Sequence, residues 1–311
     1  MQQSQYKHTT EIVTKIRQIL GNFPGYRALH ADGRFYEGTF RANENAKKYS
    51  RAIHLQGDEI PVTVRFSKGG GDPFAHFSAT VGMATRFYLP DGRVTNLVML
   101  SQQLFVANTV EQFLELLEAG SPVTPGGPVN KAGLEQFLAA NPNSMQVFKM
   151  RAASPAPVSF AHTVFNSVHA FLFTNAKDEV TPVRCHWQPV AGVQGQPVEN
   201  LSQEQTDILF QELDTRLTQT AVAFDLVLEL AAPEDPLNDA TALWPADREH
   251  VTIGRLTLTA PIDEAVLKDK VMNHDPTALT DGIEPTDDPI LQIRRGVYEV
   301  SAAQRTGGWK N

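Results

Sequence analysis

The sequence is short of three features, and each shortage excludes a class of protein. One cysteine, Cys185, in 311 residues rules out an intrachain disulfide and any zinc or iron–sulfur site made of several cysteines. Cys185 lies between Arg184 and His186 in a strand-like run, so we interpret it as structural. Basic residues are also few relative to acidic ones, with 27 Lys and Arg against 35 Asp and Glu. The resulting net charge of -8 argues against a nucleic-acid partner.

Long apolar runs are the third shortage. Residues 1–20 lack the continuous apolar segment and the small-residue cleavage site of a signal peptide. No later stretch reaches the roughly 18–20 apolar residues that a helix needs to span a bilayer. We therefore expect a cytoplasmic protein without a membrane partner.

What the sequence does contain is a regular series of strand and helix patterns. Its composition, 41% hydrophobic and 20% charged, is that of an ordinary globular protein. Alternation of apolar and polar residues predicts two groups of four strands, at 26–40, 60–67, 82–89 and 95–101, then at 168–175, 181–190, 221–231 and 251–259. Helical spacing and capping residues predict helices at 5–20, 42–53, 109–120, 131–140, 142–152 and 202–220.

The strand count predicts the fold class. Eight antiparallel strands that close into a barrel leave no free edge, so we expect an α+β protein: an eight-stranded antiparallel β-barrel with helices inserted and packed around it. We expect a single domain over 1–311. Its parts are a short amino-terminal helix at 5–20, a first barrel half at 25–106, a helical linker at 107–160, a second barrel half at 165–260 and a carboxy-terminal helix at 288–306.

Two strand-like stretches carry polar side chains that could take part in chemistry. In "RALH", Arg27 and His30 lie just before an Asp-Gly turn, on what the pattern predicts as a strand. In "VRFS", Arg65 and Ser67 share one face, because side chains alternate along a strand. A structural histidine and a polar outer face would explain the same patterns without chemistry.

A third stretch, "RRGVYEVSAAQR", has a spacing typical of one helix face. Arg294 and Tyr298 are four residues apart, and Ser301 and Arg305 continue the same face. A phenol serves as an anionic metal ligand only where a cation and the metal stabilise it. Gly296 costs helicity, about 1 kcal/mol against alanine, and we expect a close approach to something flat at this glycine. An ordinary surface pair of arginine and tyrosine would show the same spacing.

Taken together and in order, these stretches resemble the haem catalase superfamily. "RALHADGRFYEGTF" is similar to the segment of the distal histidine, "IPVTVRFSKGGG" to the strand that supports it, and "GMATRFYLPDGRVTNLVMLSQQLFV" to the following strand pair. Later matches are "HAFLFTNAKDEVTPVRCHWQPVAG", "DPLNDATALWPADREHVTIGRLTL" and "GIEPTDDPILQIRRGVY". The resemblance covers residues 25–306 and implies the family's eight-stranded antiparallel barrel.

The resemblance also implies roles for individual residues. Tyr298 would be the proximal ligand of the haem iron, and a tyrosine in this position is the established ligation of catalases. Arg294 would be the cation that hydrogen-bonds to Tyr298. On the distal side, His30 would be the acid and base of the reaction, and Ser67 would orient its ring.

The remaining implied contacts are with the periphery of the cofactor, haem b. Arg27, Arg65 and Arg305 would pair with the haem propionates, because an arginine fork suits a carboxylate. An aromatic residue is expected to cover the haem face, and the candidates are Phe66, Phe87 and Phe105.

Several departures from the catalase pattern bear on activity. The family's distal asparagine aligns with Leu100 and its neighbour with Ser101, while a histidine usually found four residues after the proximal tyrosine is Ala302. The long catalases also carry an amino-terminal arm and wrapping segments that we do not find. These features resemble the short catalase-related peroxidases. The resemblance to the superfamily implies a homo-oligomer, and we expect a dimer because the arms that lock tetramers are missing.

The function implied is that of a haem peroxidase. It would use hydrogen peroxide or organic hydroperoxides to oxidise a small organic reductant, with weak catalase activity. A true catalase, an enzyme that rearranges lipid hydroperoxides, and a non-catalytic haem carrier or sensor are the competing hypotheses. Met83 and Met99 are predicted to be core residues, and the histidines 162, 169 and 186 show no metal-ligand spacing.

Overall fold

A computed structural model describes residues 2–75, 80–124, 127–197, 207–267 and 272–307. Its helices are α1 (Gln2–Leu20), α2 (Ala46–Tyr49), α3 (Val110–Gly120), α4 (Lys131–Ala140), α5 (Pro142–Ala153), α6 (Ile208–Leu217) and α7 (Pro289–Arg305). Its strands are β1 (Gly33–Ala42), β2 (Glu59–Lys68), β3 (Val81–Tyr88), β4 (Val94–Leu100), β5 (Ala156–Pro157), β6 (Phe165–Asn166), β7 (Phe171–Thr174), β8 (Val180–Pro189), β9 (Gly195–Gln196), β10 (Val222–Leu230), β11 (His250–Ile262) and β12 (Ile283–Pro285).

Eight strands form a closed antiparallel barrel, which confirms the predicted fold class. The ring runs β10, β11, β1, β2, β3, β4, β6, β8 and returns to β10 through the β8–β10 pairing. Its joints differ greatly in length. β1 and β2 share nine register pairs, from Gly33↔Ser67 to Arg41↔Glu59, whereas β4 and β6 share the single pair Leu100↔Asn166. We call this short β4–β6 joint the seam.

Two predicted strands are wrong in their details. The pattern at 168–175 corresponds to β7, which pairs with β8 and β12 beside the ring, and β6 takes its place within the ring. Val168 has a φ of 55°, in the left-handed region, and it interrupts the extended conformation between β6 and β7. The predicted strand at 26–40 begins only at Gly33, and "RALH" forms a bent loop instead.

The helix predictions agree more closely, because capping and apolar spacing act locally. The predicted helix at 42–53 is shortened to α2 and a 3₁₀ turn at Ile53–Leu55. The predicted helix at 202–220 corresponds to α6, and its first residues, 202–206, lie outside the described part of the chain. In the described residues, we find no helix with the length and apolarity that crossing a membrane requires.

The barrel interior is filled by side chains. Burial alternates along β10, as a strand with one face on a core requires. Large aromatic residues occupy the centre, with Phe66 stacked on Phe160 at 4.8 Å between ring centroids and Phe87 edge-on to Phe40 at 5.3 Å. Cys185, predicted as structural, is 1% exposed among them, and its burial raises the pKa of its thiol to about 12.

Helices α1 and α7 pack against each other outside the barrel. Their contact buries Ile12, Val13 and Ile16 of α1 with Ile293 and Val300 of α7. A Cβ on Gly296 would lie 2.6 Å from Cγ2 of Thr9, so this glycine admits helix α1. The expectation that Gly296 approaches a flat group is therefore wrong, since a helix occupies that space.

Candidate functional site

A cavity of about 210 Å³ lies against the outside of the barrel. Strands β2 to β4 and the loop at 27–30 form one wall, and α7 with α1 forms the other. Much of the lining is apolar, including Ile16, Val98, Met99, Ile293 and Val297. The seven residues to which the resemblance assigns a catalytic or haem-binding role all line this cavity, namely Arg27, His30, Arg65, Ser67, Arg294, Tyr298 and Arg305. We call the α7 side the proximal wall and the other side the distal wall.

The proximal wall carries the arginine–tyrosine pair predicted from helical spacing. Nη2 of Arg294 donates a hydrogen bond to Oη of Tyr298 at 2.7 Å, and the guanidinium carbon lies 5.4 Å from the centre of the phenol ring. Asp288 caps α7 by accepting from the backbone N–H groups of Ile290 and Leu291. The helix thereby fixes the phenol oxygen beside a permanent cation, an arrangement suited to holding a metal ion.

A buried His–Asp pair lies behind this wall. Nδ1 of His169 is 2.7 Å from Oδ2 of Asp288, and both side chains are 1% exposed. Burial lowers the pKa of His169, Asp288 opposes that shift, and the charge of Arg294 adds to it. The imidazole is thus neutral and donates from Nδ1 to the carboxylate, while its Nε2 has no partner among the described residues. Sequence spacing held no signal for this pair, because its members are 119 residues apart.

The distal wall presents His30 from a loop and not from a strand, contrary to the prediction. His30 has a φ of 53°, in the left-handed region that side chains other than glycine rarely adopt. Arg65 holds this backbone by donating from Nη2 to the carbonyls of His30, at 3.1 Å, and Ala31, at 3.3 Å. A strained loop held by a buried cation indicates a functional position.

The ring of His30 is oriented by a serine. Nδ1 of His30 lies 3.0 Å from Oγ of Ser67 on β2. A Cβ on Gly82 would lie 2.9 Å from that oxygen and 3.0 Å from the same nitrogen, so glycine is required there. Burial lowers the pKa of His30 to about 3, and the charges of Arg65 and Arg294 add to this effect. His30 is therefore an uncharged base at neutral pH.

Three arginines gather at one end of the cavity. Nη2 of Arg27 donates to the carbonyl of Met272 at 2.7 Å. Burial lowers the pKa of Arg27 well below its usual range, and the charges of Arg65 and Arg305 lower it further. The pKa of Arg65 falls to about 10, mainly by burial. Nε of Arg65 has no partner among the described residues, so this end is suited to an anionic group.

Gly33 makes room for this arrangement. A Cβ at Gly33 would lie 2.4 Å from Cζ of Arg65, so the guanidinium crosses β1 at the point where β1 lacks a side chain. His274, which no sequence pattern indicated, lies at the same end. It stacks on Phe35 at 6.3 Å between ring centres, and its buried Nε2 has no partner among the described residues. Burial lowers its pKa, and the charges of Arg86 and Arg27 lower it further.

The remaining lining residues correct some predictions and agree with others. Of the three aromatic residues predicted to cover the haem face, Phe105 lines the cavity. Phe66 and Phe87 lie in the barrel interior, so the prediction is wrong for these two. Met83 and Met99 belong to the core, as predicted, and also reach the cavity wall. Leu100 and Ala302 line the cavity, while Oγ of Ser101 accepts from the backbone N–H of Val81. The position that aligns with the family's distal asparagine is therefore apolar, as the sequence indicated.

Comparisons with known proteins agree with this geometry. A model of the catalase family matches residues 21–310. The chain is 36% identical to a catalase-related peroxidase of Mycolicibacterium paratuberculosis and 33% identical to one of Synechococcus elongatus, over 96% of this chain and 94% and 88% of theirs. A Pseudomonas aeruginosa catalase is 28% identical, over 57% of its length. A solved bacterial catalase shares the fold, with a TM-score of 0.80 at 21% identity, over 92% of this chain and 58% of that one.

Proposed function

This chain belongs to the catalase family, and we propose that it is a haem-dependent peroxidase. It uses hydrogen peroxide or organic hydroperoxides to oxidise small organic donors, and it dismutes hydrogen peroxide only weakly. The observation that carries the proposal is the pairing, in one cavity, of a neutral buried histidine with a phenol hydrogen-bonded to an arginine.

The donor set of the cavity fits haem b. Tyr298 would supply an oxygen ligand for the haem iron, and the apolar lining suits a porphyrin. Arg27, Arg65 and Arg305 suit two propionates, and the unpartnered Nε of Arg65 is a donor that a carboxylate would satisfy. When bound, haem supplies the redox-active iron at which the O–O bond of a peroxide is cleaved.

The proton transfers fall to His30. Its ring is neutral, so it takes a proton from an incoming peroxide and returns it to the leaving oxygen. Ser67 holds Nδ1, which leaves Nε2 as the nitrogen that exchanges the proton. Arg65 holds the backbone of the loop, so that the imidazole keeps its place through the cycle.

Leu100 supports oxidation of a separate donor over dismutation. Dismutation requires a second peroxide to be held beside His30, and the leucine side chain at this wall offers it no hydrogen bond. The similarity to two catalase-related peroxidases over most of their length points the same way.

The test compares two rates in the purified haem-loaded protein. We expect kcat/KM for peroxide-dependent oxidation of a phenolic donor to exceed that for oxygen evolution from hydrogen peroxide. Leu100→Asn, which restores an amide, is expected to raise oxygen evolution relative to donor oxidation, while Leu100→Ile leaves the ratio unchanged. Rapid oxygen evolution by the native protein with no donor oxidation would contradict the proposal.

Lipid hydroperoxide rearrangement and haem carriage without turnover each have their own readout. A rearranging enzyme converts a lipid hydroperoxide into an epoxide, whereas a peroxidase reduces it to the alcohol, and product analysis separates the two. If the protein is a haem carrier or sensor, changing His30 to Gln should leave its haem binding and its lack of turnover as they are. We expect that variant to retain haem and to lose peroxide turnover.

A further inference from the structure

Outside the cavity of the proposed function, two histidines and a glutamate meet on the outer face of the barrel. His186 lies on β8, Glu229 on β10 and His250 at the start of β11, three neighbouring strands. Glu229 and His250 are direct register partners. One ring nitrogen or carboxylate oxygen from each of the three residues lies within 4.8 Å of the others. Sequence spacing held no sign of this cluster, because each strand contributes one residue.

The cluster faces open space. A second cavity, of about 520 Å³, has both His186 and His250 in its lining. His186 and Glu229 are half-buried, and His250 is exposed. A small ion can therefore reach the two histidines from this cavity, and the ligand oxygen of Glu229 lies within 4.8 Å of both.

The hydrogen bonds of His186 determine which of its nitrogens is free. Asn166 donates from Nδ2 to the carbonyls of Leu100 and Ser101, so its amide oxygen faces His186. That oxygen lies 2.9 Å from Nδ1 of His186, which must therefore carry the proton and donate it. In the neutral ring, Nε2 then carries a lone pair and no proton. This nitrogen lies 3.3 Å from Oε2 of Glu229. A lone pair facing a carboxylate is unfavourable unless a proton or a cation lies between them.

His250 repeats the same arrangement. Its Nδ1 is 2.8 Å from the carbonyl of Arg248, an acceptor, so this nitrogen donates and Nε2 keeps the lone pair. Histidine ligands of metal ions are oriented in this way, by donating the other ring N–H to a carbonyl or amide oxygen. Arg184, opposite Glu229 on β8, directs its guanidinium to the carbonyls of Ala242 and Asp239.

From this geometry we propose that His186, Glu229 and His250 form a binding site for a divalent transition-metal ion, for which Zn²⁺ is the preferred occupant. Two imidazoles and one carboxylate are a ligand set that zinc favours, with water in the fourth position. Ligand atoms 2.0–2.1 Å from a tetrahedral zinc ion lie about 3.3 Å apart, which is the separation of the His186 and Glu229 atoms. The ligand atom of His250 lies within 4.8 Å of the other two, so a small movement of this exposed side chain completes the site.

Zinc binding to the haem-loaded protein tests the proposal. Protein treated with a chelator is dialysed against Zn²⁺, and zinc and iron are counted per chain by elemental analysis. We expect one zinc per chain in addition to the haem iron. His250→Ala and Glu229→Gln should each weaken zinc binding more than about 100-fold, because even losing a hydrogen-bond partner of a ligand costs about 10–100-fold. Glu249→Gln, at the exposed carboxylate beside His250, is the matched control and should bind zinc normally.

A second readout reports the ligands directly. Electron paramagnetic resonance of the protein loaded with Cu²⁺ should show coupling to two imidazole nitrogens, and to one in His250→Ala. Two results would overturn the proposal. One is the absence of saturable zinc binding, which means that a proton on His186 alone bridges it to Glu229. The other is equal zinc binding by the native protein and by Glu229→Gln, which places the ion elsewhere.

Discussion

The two walls of the cavity position their key side chains by different means. The proximal wall is one helix, in which Arg294 and Tyr298 meet because residues four apart share a face. On the distal wall, a loop presents His30 in a left-handed conformation, and Arg65 and Ser67 of β2 hold its backbone and its ring. Helix geometry thus positions Arg294 and Tyr298, whereas His30 is positioned by residues of β2 that are distant in the sequence. Small changes around His30 should therefore lower peroxide turnover readily. On the proximal wall, turnover should be lost only when the ligand atoms themselves are removed.

The largest expected effect lies on the proximal wall. Tyr298→Phe removes the only oxygen that this side chain offers to iron, so we expect loss of peroxide turnover to background. The absorption spectrum of the haem-loaded protein should lose the features of phenolate ligation at the same time. Tyr26→Phe, at a tyrosine that is 40% exposed, is the control and should leave both unchanged. An unaltered spectrum in Tyr298→Phe would assign the iron to another residue.

The next effect lies on the distal wall. His30→Gln removes the base while keeping a polar side chain, and we expect kcat/KM for peroxide to fall about 10²–10⁴-fold, the usual worth of a general acid–base group. Haem content and the spectrum should stay close to those of the native protein. His8→Gln on α1 serves as the control. A fall of less than tenfold would remove His30 from its assigned role.

Two glycines offer a matched comparison of the walls. In Gly82→Ala, the new methyl group meets Ser67 and His30, and displacing the ring should lower kcat/KM about 10²-fold. In Gly296→Ala, the methyl group meets Thr9 and pushes α1, so the melting temperature should fall while turnover is retained. Thermal unfolding and peroxide kinetics, measured on both variants, separate a loss of stability from a loss of turnover. If Gly82→Ala loses only stability, the distal wall is less sensitive than we infer.

The smallest expected effect is one of pH. Burial holds the pKa of His30 at about 3, so the ring stays neutral and able to accept a proton at every pH well above that value. Acid would remove this base only by protonating it below about pH 4. We expect kcat/KM for peroxide to be flat from about pH 5 to 8, with no change near the ordinary histidine pKa of about 6.5. A limb centred near 6.5 would contradict a buried neutral His30.

The same contrast explains how much was predictable from sequence. The proximal pair follows from spacing alone, and the strands β2, β3, β4, β8, β10 and β11 follow from alternation. The conformation of His30 does not, because it depends on Arg65, which is 35 residues away in the sequence and reaches His30 only after β1 and β2 have paired. His274 and the pair His169–Asp288 were missed for the same reason. The dimer, the single-domain boundaries and the cytoplasmic location stay predictions.

The seam between β4 and β6 gives the barrel an uneven resistance to opening. Nine register pairs join β1 to β2, but one pair joins β4 to β6, with the amide of Asn166 adding bonds to Leu100 and Ser101. A ring of strands separates first at its shortest joint, and such local openings govern amide hydrogen exchange. Backbone amides near the seam should thus exchange sooner than those of β1 and β2. Cooperative unfolding of the barrel would then begin beside Leu100, at the edge of the distal wall.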